Sequence, residues 1–313
     1  MDKSTTRDMK KAAEVAFLKA VELGSVRAAA RALGQDPSGI SRRITQLEQR
    51  LGTQLVDRSG NATRATAQGQ VYYERLSSII DQLEALDAEV SGENLTPSGL
   101  LRVTCGIDFG QEFVTDWLLE FRQMYPGVDY DLILASGFVD MNQNAIDVAL
   151  RVGELPDSSL IARKLADVPR VLVASPDYLK RKGTPERPED LTQHDFIFFS
   201  PTNRQQPLEL FDQSGASVKV QRSGGIAINA VRSAVKAVVE GQGIHVGPLW
   251  AFAPKIASGE IVTVLPDYSQ KLLPLFAVRQ PSVIIPARIS SFIDHVSDKV
   301  RSVDGLRPVS QSK

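Results

Sequence analysis

The stretch SVRAAARALGQDPSGISRRITQLEQRL, residues 25–51, constrains this chain more than any other. Its punctuation predicts two short helices joined by a tight turn. Ser25 is placed to cap the first, which runs to Leu33, and Gly34 to end it in the left-handed conformation. Asp36 is placed to cap the second, whose first position is Pro37, where a missing N–H costs nothing. Ile40, Ile44, Leu47 and Leu51 recur at helical spacing and predict one buried stripe. The opposite face carries Ser38, Ser41, Arg42, Thr45 and Gln46. A short helix pair with a basic, donor-rich exposed face is the helix-turn-helix pattern, whose second helix enters the major groove of DNA.

The flanking sequence extends the motif. Residues 8–23 read as a bracing helix ended by Gly24. Residues 55–66 hold a Ser-Gly-Asn turn between two β-compatible pieces, a two-stranded wing with Arg58 and Arg64 near its ends. From Thr66 to about residue 91 a long helix repeats Tyr72, Leu76, Ile79, Leu83, Leu86 and Val90 at heptad spacing. At 1.5 Å per residue it is on the order of 36 Å long. A helix covering its own domain's core would show similar apolar residues. A dimer seam ranks above that reading, because a DNA reader gains from two-fold symmetry.

Residues 91–99, SGENLTPSG, read as a linker by composition. Beyond it strands alternate with helices. Strands are expected at 100–105, 128–135, 146–152, 160–165, 170–174, 196–199, 218–221, 225–228, 244–247, 261–265 and 275–279. Helices are expected at 111–125, 176–182, 230–240 (capped by Asn229), 249–257 and 287–300. Such alternation predicts mixed sheets covered on both faces, and the length predicts two lobes. Charge divides the same way. Residues 1–65 hold 12 Lys and Arg against 7 Asp and Glu; the remainder holds 24 against 30. A basic head on an acidic body points to a nucleic-acid module joined to something else. The single Cys105 excludes an internal disulfide and a Cys-rich zinc site. No apolar run reaches membrane-spanning length and no signal-peptide core is present, so a cytoplasmic protein without membrane partners is expected.

On the outer face of the second helix, an arginine such as Arg42 can bond guanine O6 and N7. Arg43 precedes buried Ile44 and at least one of the two arginines must face out. Ser38, Ser41 and Thr45 share the outer face and can reach phosphate or base edges; Arg58 and Arg64 can reach phosphates or the minor groove. In the body, ligands in open α/β sheets sit beyond the carboxyl ends of strands, near helix starts. That selects residues 104–110 with Thr104, Asp108 and Phe109, then Ser136, then Phe199, Ser200 and Thr202, then Asn229 with His245. Asp108 is placed to cap its own helix and occupy donors an anion needs, which favours a neutral, cationic or polyhydroxy ligand or a pH-responsive site. His245 reads first as a core histidine, and Cys105 as a small apolar residue without a resolving thiol.

Further residues carry a resemblance. In the head they are Ala28-Ala29, Leu33-Gly34, Ser41-Arg42-Arg43-Ile44, Leu47-Glu48, Leu51-Gly52, Leu55, Arg58 and Thr66-Ala67-Gln68-Gly69. In the body they are Gly99-Leu100-Leu101-Arg102-Val103, Phe121, Tyr125-Pro126, Asp147-Val148-Ala149-Leu150-Arg151-Val152-Gly153, Asp157-Ser158-Ser159-Leu160, Ala162-Arg163, Ala174-Ser175-Pro176, Tyr178-Leu179 and Gly241-Gln242-Gly243-Ile244. In this order the series resembles the LysR-type transcriptional regulators over nearly the whole chain. Two departures stand out. Asp36-Pro37-Ser38-Gly39 replaces the family's frequent Ser-Gln-Pro-Ala, with Pro37 where an amide could read a base edge. Val56 stands where an aromatic is usual.

The resemblance implies an α/β protein with a winged helix-turn-helix at 1–65, a dimerising linker helix at 66–91 and a hinge linker at 92–98. It implies a two-lobed, periplasmic-binding-protein-like effector domain at 99–305, before a tail at 306–313. Lobe I would hold 99–163 and 267–303, and lobe II 164–266. It further implies promoter DNA, a small-molecule effector between the lobes, a dimer or dimer of dimers, and RNA polymerase as partners, with no cofactor and no metal. Two other readings are an enzyme fused to a helix-turn-helix and a DNA-bending protein without an effector. His194, His245 and His295 have no ligand spacing and no Gly-rich phosphate motif follows a strand, so no reaction suggests itself.

Overall fold

The computed structural model describes residues 3–57, 63–91, 96–137, 139–141, 144–200, 204–282 and 285–309. Two compact units divide the chain between residues 95 and 96. The first contains helices α1 (Lys3–Glu22), α2 (Val26–Ala32) and α3 (Pro37–Leu51), strands β1 (Val56–Asp57) and β2 (Arg64–Ala65), and helix α4 (Ala67–Ser91). The punctuation acts as its chemistry demands. The Ser25 hydroxyl accepts from Ala28 N–H, and the Asp36 carboxylate accepts from Gly39 N–H. Gly34 and Gly52 both take positive φ, 62° and 68°. Ile40, Ile44 and Leu47 are buried against Phe17, Ala29 and Ala30. Each such side chain contributes roughly 1.5–3 kcal/mol. Leu51 departs from the expected stripe: it is 40% exposed, because α3 runs past the small core at its last residue.

β1 and β2 pair antiparallel as the wing; residues 58–62, with Arg58, lie outside the described residues. The Glu48 carboxylate accepts from the N–H groups of Leu55 and Val56 (2.9 and 3.1 Å), which ties the wing to α3. Thr66 caps α4 by accepting from Gly69 N–H (3.0 Å). Gly69 has to lack a side chain, since a Cβ there would lie 1.9 Å from the Leu55 carbonyl oxygen. The heptad residues of α4 divide into two groups. Tyr72 and Leu76 pack on the unit's own core, with Tyr72 5.7 Å from the Phe17 ring. Ile79, Leu83, Leu86 and Val90 remain exposed.

The second unit opens with β3 (Gly99–Cys105), then α5 (Ile107–Phe109), a π-turn at Gly110–Val114 and α6 (Thr115–Met124). There follow β4 (Val128–Leu134), β5 (Val148–Val152) and β6 (Ile161–Val168). The chain then enters a second sheet through β7 (Arg170–Ala174), α7 (Pro176–Lys182), β8 (Asp195–Phe198), β9 (Leu208–Phe211), β10 (Ser217–Val220) and β11 (Ser223–Ala227). It continues with α8 (Val231–Val239), β12 (Ile244–Pro248), α9 (Leu249–Ala257) and β13 (Val262–Thr263). It returns through β14 (Leu273–Arg279), α10 (Ala287–Val300) and β15 (Arg307–Pro308).

Lobe I is a six-stranded sheet of order β15-β6-β14-β5-β3-β4. Lobe II is a five-stranded sheet of order β11-β8-β12-β7-β13, with β9 and β10 as a separate hairpin. β3 runs parallel to β4 and β5, whereas β14 is antiparallel to β5 and β6. β6 pairs with β14 through Val168, so the crossings between lobes fall at Pro169 and just before Leu273, and residues 164–168 belong to lobe I. β10 answers the strand expected at 218–221, whereas its hairpin partner β9 and the strand β15 were not expected. The hairpin is short, and β15 contains Pro308, which pairs only at a sheet edge.

Candidate functional site

The first site is the outer face of α3. Ser38 and Arg42 are exposed, and Ser41, Arg43 and Thr45 are half-buried. Several of these donors already have local partners. Ser38 donates to the Asp36 carboxylate (2.5 Å), Arg43 to Gln35, and the Thr45 hydroxyl to the Ser41 carbonyl (3.0 Å). The Ser38 hydroxyl and the Gly39 N–H hold the Asp36 carboxyl below the usual carboxylate range. Thr45 therefore presents chiefly its methyl. Arg42 has no such engagement among the described residues. Arg64 is exposed on β2 of the wing, in the same unit. An ion pair between Arg50 and Glu14 (2.6 Å) links α3 to α1.

The second site is a cleft of about 720 Å³ between lobes I and II. Lobe I supplies Gly106 to Phe109, Ala135 to Gly137, and the end of β5 with Arg151 and Val152. Lobe II supplies Ile197, Phe199, Arg222, Asn229 to Val231, His245 and Trp250, and the crossings add Val168, Arg170, Lys271 and Leu273. Of the residues expected from sequence, Asp108, Phe109, Ser136, Phe199, Asn229 and His245 line this cleft. Thr104 does not: it is fully buried in β3 and its hydroxyl donates to the Ile133 carbonyl (2.8 Å). Ser200 is half-buried outside the lining and already has a partner, and Thr202 lies outside the described residues. Phe109 is mostly core, 5.8 Å from the Trp117 ring and 5.9 Å from Trp250.

Two capping expectations need correction. Asp108 does not cap its own short helix. Its carboxylate accepts from Val231 N–H (2.9 Å) and Arg232 N–H (3.1 Å), the first amides of α8 in the opposite lobe. Asn229 accordingly does not cap α8, whose N-cap residue is Ala230. A capping side chain usually comes from the preceding few residues. Here it comes from 123 residues away, and no local pattern can reveal it. The π-turn that follows Phe109 holds this stretch in place, with the Thr115 hydroxyl donating to the Gly110 carbonyl (2.9 Å). Arg232 also pairs with Glu112 (2.8 Å), a second link between the lobes.

Sequence reasoning missed the arginines. Arg151, Arg170 and Arg222 all line the cleft, and burial lowers the pKa of each. Their signal was present: Arg151 interrupts the apolar VALRV and Arg170 opens the apolar RVLVA. A cation inside a buried strand is costly unless something compensates it. His245 is buried and its ring hydrogen-bonds the Ile197 carbonyl through Nδ1 (2.7 Å). A carbonyl only accepts, so Nδ1 carries the proton. Burial pushes its pKa down to about 4, with the Arg222 charge adding to the effect. His245 is neutral near pH 7, which argues against a pH response there.

Each histidine ring has its own partner. His194 meets the Tyr178 hydroxyl (3.2 Å) and His295 the Trp117 carbonyl (3.0 Å). No group of metal-ligating side chains gathers among the described residues, and no described helix is long and apolar enough to cross a membrane.

Comparison with known proteins adds the wider frame. Residues 13–70 match the bacterial regulatory helix-turn-helix of the lysR family, and residues 95–301 match the LysR substrate binding domain. The transcriptional activator AaeR of Escherichia coli (strain K12) is 31% identical over 284 residues, covering 90% of this chain and 91% of AaeR. Among solved structures, CrgA, a LysR-type regulator from Neisseria meningitidis, aligns with TM-score 0.58 and 27% identity over 92% of this chain and 97% of CrgA. The Vibrio cholerae virulence activator AphB aligns with TM-score 0.57 and 27% identity over 91% and 97%. A helix-turn-helix head, a two-lobed body and matches to both family models leave one assignment: this chain belongs to the LysR-type transcriptional regulators, with a DNA-binding domain and an effector-binding domain.

Proposed function

We propose that α3 reads promoter DNA through Arg42 and Ser38, with Arg64 of the wing on the backbone, and that a small molecule in the cleft sets how that DNA is held. The observation that carries the second half is the lining of the cleft. Both lobes and both crossings contribute to it, so a ligand there has contacts that depend on how the lobes sit together. A ligand shifts a conformational equilibrium only through such differential contacts. The exposed stripe Ile79, Leu83, Leu86 and Val90 on α4 supports a homo-oligomer, with the same stripe of a second copy covering it. This reading places the protein in the cytoplasm, with RNA polymerase as a partner at the promoter. It assigns no reaction to the cleft, where the histidine is held neutral in the sheet and serves structure.

The test is a thermal-shift screen of small metabolites against the full chain, followed by footprinting on a bound genomic fragment. Val152→Trp fills the cleft from an exposed lobe I position. A compound that raises the melting temperature of the wild type, fails on Val152→Trp and alters the footprint supports the proposal. A compound that alters the footprint equally in both proteins contradicts it.

A further inference from the structure

The opening turn of α3 keeps its donors for itself. Pro37 has no N–H to offer. The Gly39 N–H and the Ser38 hydroxyl both donate to Oδ1 of Asp36 (2.8 and 2.5 Å). Those bonds, that of Ser38 foremost, hold the carboxyl below the usual carboxylate range, so it stays ionised. An ionised carboxylate only accepts, and a hydroxyl that has given its one proton has only lone pairs left. Asp36 and Ser38 are both exposed. They therefore turn acceptors alone towards whatever approaches this end of the helix. Asp36 Oδ2 carries neither of the two bonds. Gly39 leaves that oxygen room, since a Cβ at residue 39 would lie 2.8 Å from it. Glycine weakens a helix relative to alanine, so the room is gained against the helix's own propensity. A helix start ordinarily welcomes a phosphate through its free N–H groups. Here the protein's own carboxylate holds that place and repels one.

Building on the reading of α3 as the helix that enters the major groove, we propose that Asp36 and Ser38 form an acceptor pair that reads the exocyclic amine of a cytosine. Asp36 is then a specificity-determining residue beside Arg42. The groove offers two such amines, cytosine N4 and adenine N6. Adenine sets its N7 acceptor next to the amine, against the two acceptors of the protein, and cytosine sets none there. Thymine and guanine present acceptors, which the pair rejects. The two side chains ask for opposite bases: the guanidinium takes O6 and N7 of a guanine, and the carboxylate takes the amine of a cytosine.

The test is selection and sequencing of random-sequence duplex DNA bound by the full chain. Proteins compared are wild type, Asp36→Asn, Asp36→Ser and Arg42→Ala, each checked for folding by circular dichroism. Asn and Ser cap a helix as well as Asp does, so a residue that only caps would leave the selected motif unchanged. The wild type should select a motif with a cytosine that Asp36→Ser no longer selects. Asp36→Asn should trade that cytosine for guanine or thymine, because its amide sets a donor where Oδ2 stood. In direct titration, replacing the cytosine should weaken the wild type roughly fivefold or more, the low end for one mismatched base pair, and Asp36→Ser by less than about twofold. Both Asp36 variants should bind motif-free DNA more tightly than the wild type, having lost a charge that repels phosphate. An adenine that responds in the same way would overturn the preference for cytosine and keep the acceptor pair. Asp36 variants that select the wild-type motif, while Arg42→Ala does not, overturn the role of Asp36 and leave α3 as the reading helix. If Arg42→Ala also keeps that motif, or the wild type selects none, both fall.

Discussion

Single side chains in the body of the molecule are tuned by burial in ways that solution chemistry can read. Cys105 is fully buried at the end of β3, and burial pushes its thiol pKa up to about 12. The thiolate is the reactive form, so this cysteine is inert in the folded protein. A thiol reagent such as Ellman's should leave the native chain unlabelled at pH 8 and label it once after unfolding. Rapid native labelling would contradict the burial. His245 behaves in the opposite electrostatic sense with the same cause. Its folded pKa near 4 lies below its ordinary value of 6.5. Between those values the unfolded chain binds a proton that the folded chain refuses, so stability falls on acidification through that window. The full loss is on the order of 3 kcal/mol at 1.36 kcal/mol per unit. Denaturant titrations at pH 7 and pH 4.5 should show a smaller loss in His245→Gln than in the wild type; equal losses would place the proton elsewhere.

At the level of elements, local chemistry and long-range contact divide what the sequence could reveal. The helix pair of the head was legible because its signals are local: Ser25, Asp36 and Pro37 start helices, and Gly34 and Gly52 stop them. α7 was legible for the same reason, with Ser175 capping it and Gly183 ending it. The end of the core stripe at Leu47 was not, since which residue of a periodic run meets solvent depends on the neighbouring element's length. Nor was the division of α4, where Tyr72 and Leu76 serve the head's own core and only the later positions stay open. The cleft shows the contrast most sharply. The loops that line it could be placed from strand ends, and Arg170 left a trace as a cation opening an apolar strand, but that Arg170 and Arg222 line one cleft could not be read, because only the fold of lobe II brings them there. Asp108 acts across the lobes for the same reason. Replacing it with Ala should cost about 1 kcal/mol, the usual value of a lost N-cap. Hydrogen exchange should then quicken first in the opening turn of α8, and Asp108→Asn should recover part of the loss. Unchanged exchange at Val231 and Arg232 would show that the contact contributes nothing in solution.

For the whole molecule, oligomeric state and DNA recognition follow from surfaces that the single chain leaves uncovered. The apolar stripe of α4 carries four exposed large side chains, Ile79, Leu83, Leu86 and Val90. Charging its centre with Leu83→Glu should shift sedimentation toward the monomer while the melting temperature of the body stays put; an unchanged sedimentation coefficient would remove the stripe from the interface. The proposed DNA-reading face is that of α3, where Arg42 is exposed on a helix tied down by Glu14–Arg50 and by Glu48 at the wing. A bidentate Arg–guanine contact is worth roughly 1–3 kcal/mol of discrimination. The most direct measurement is enrichment and sequencing of genomic fragments bound by the purified full chain at low salt, run beside Arg42→Ala with its fold checked by circular dichroism. The wild type should enrich a small set of fragments sharing one motif, and the folded Arg42→Ala should lose that set. A folded wild type that enriches nothing, or a variant that enriches the same fragments, would contradict a head that reads DNA through this helix face.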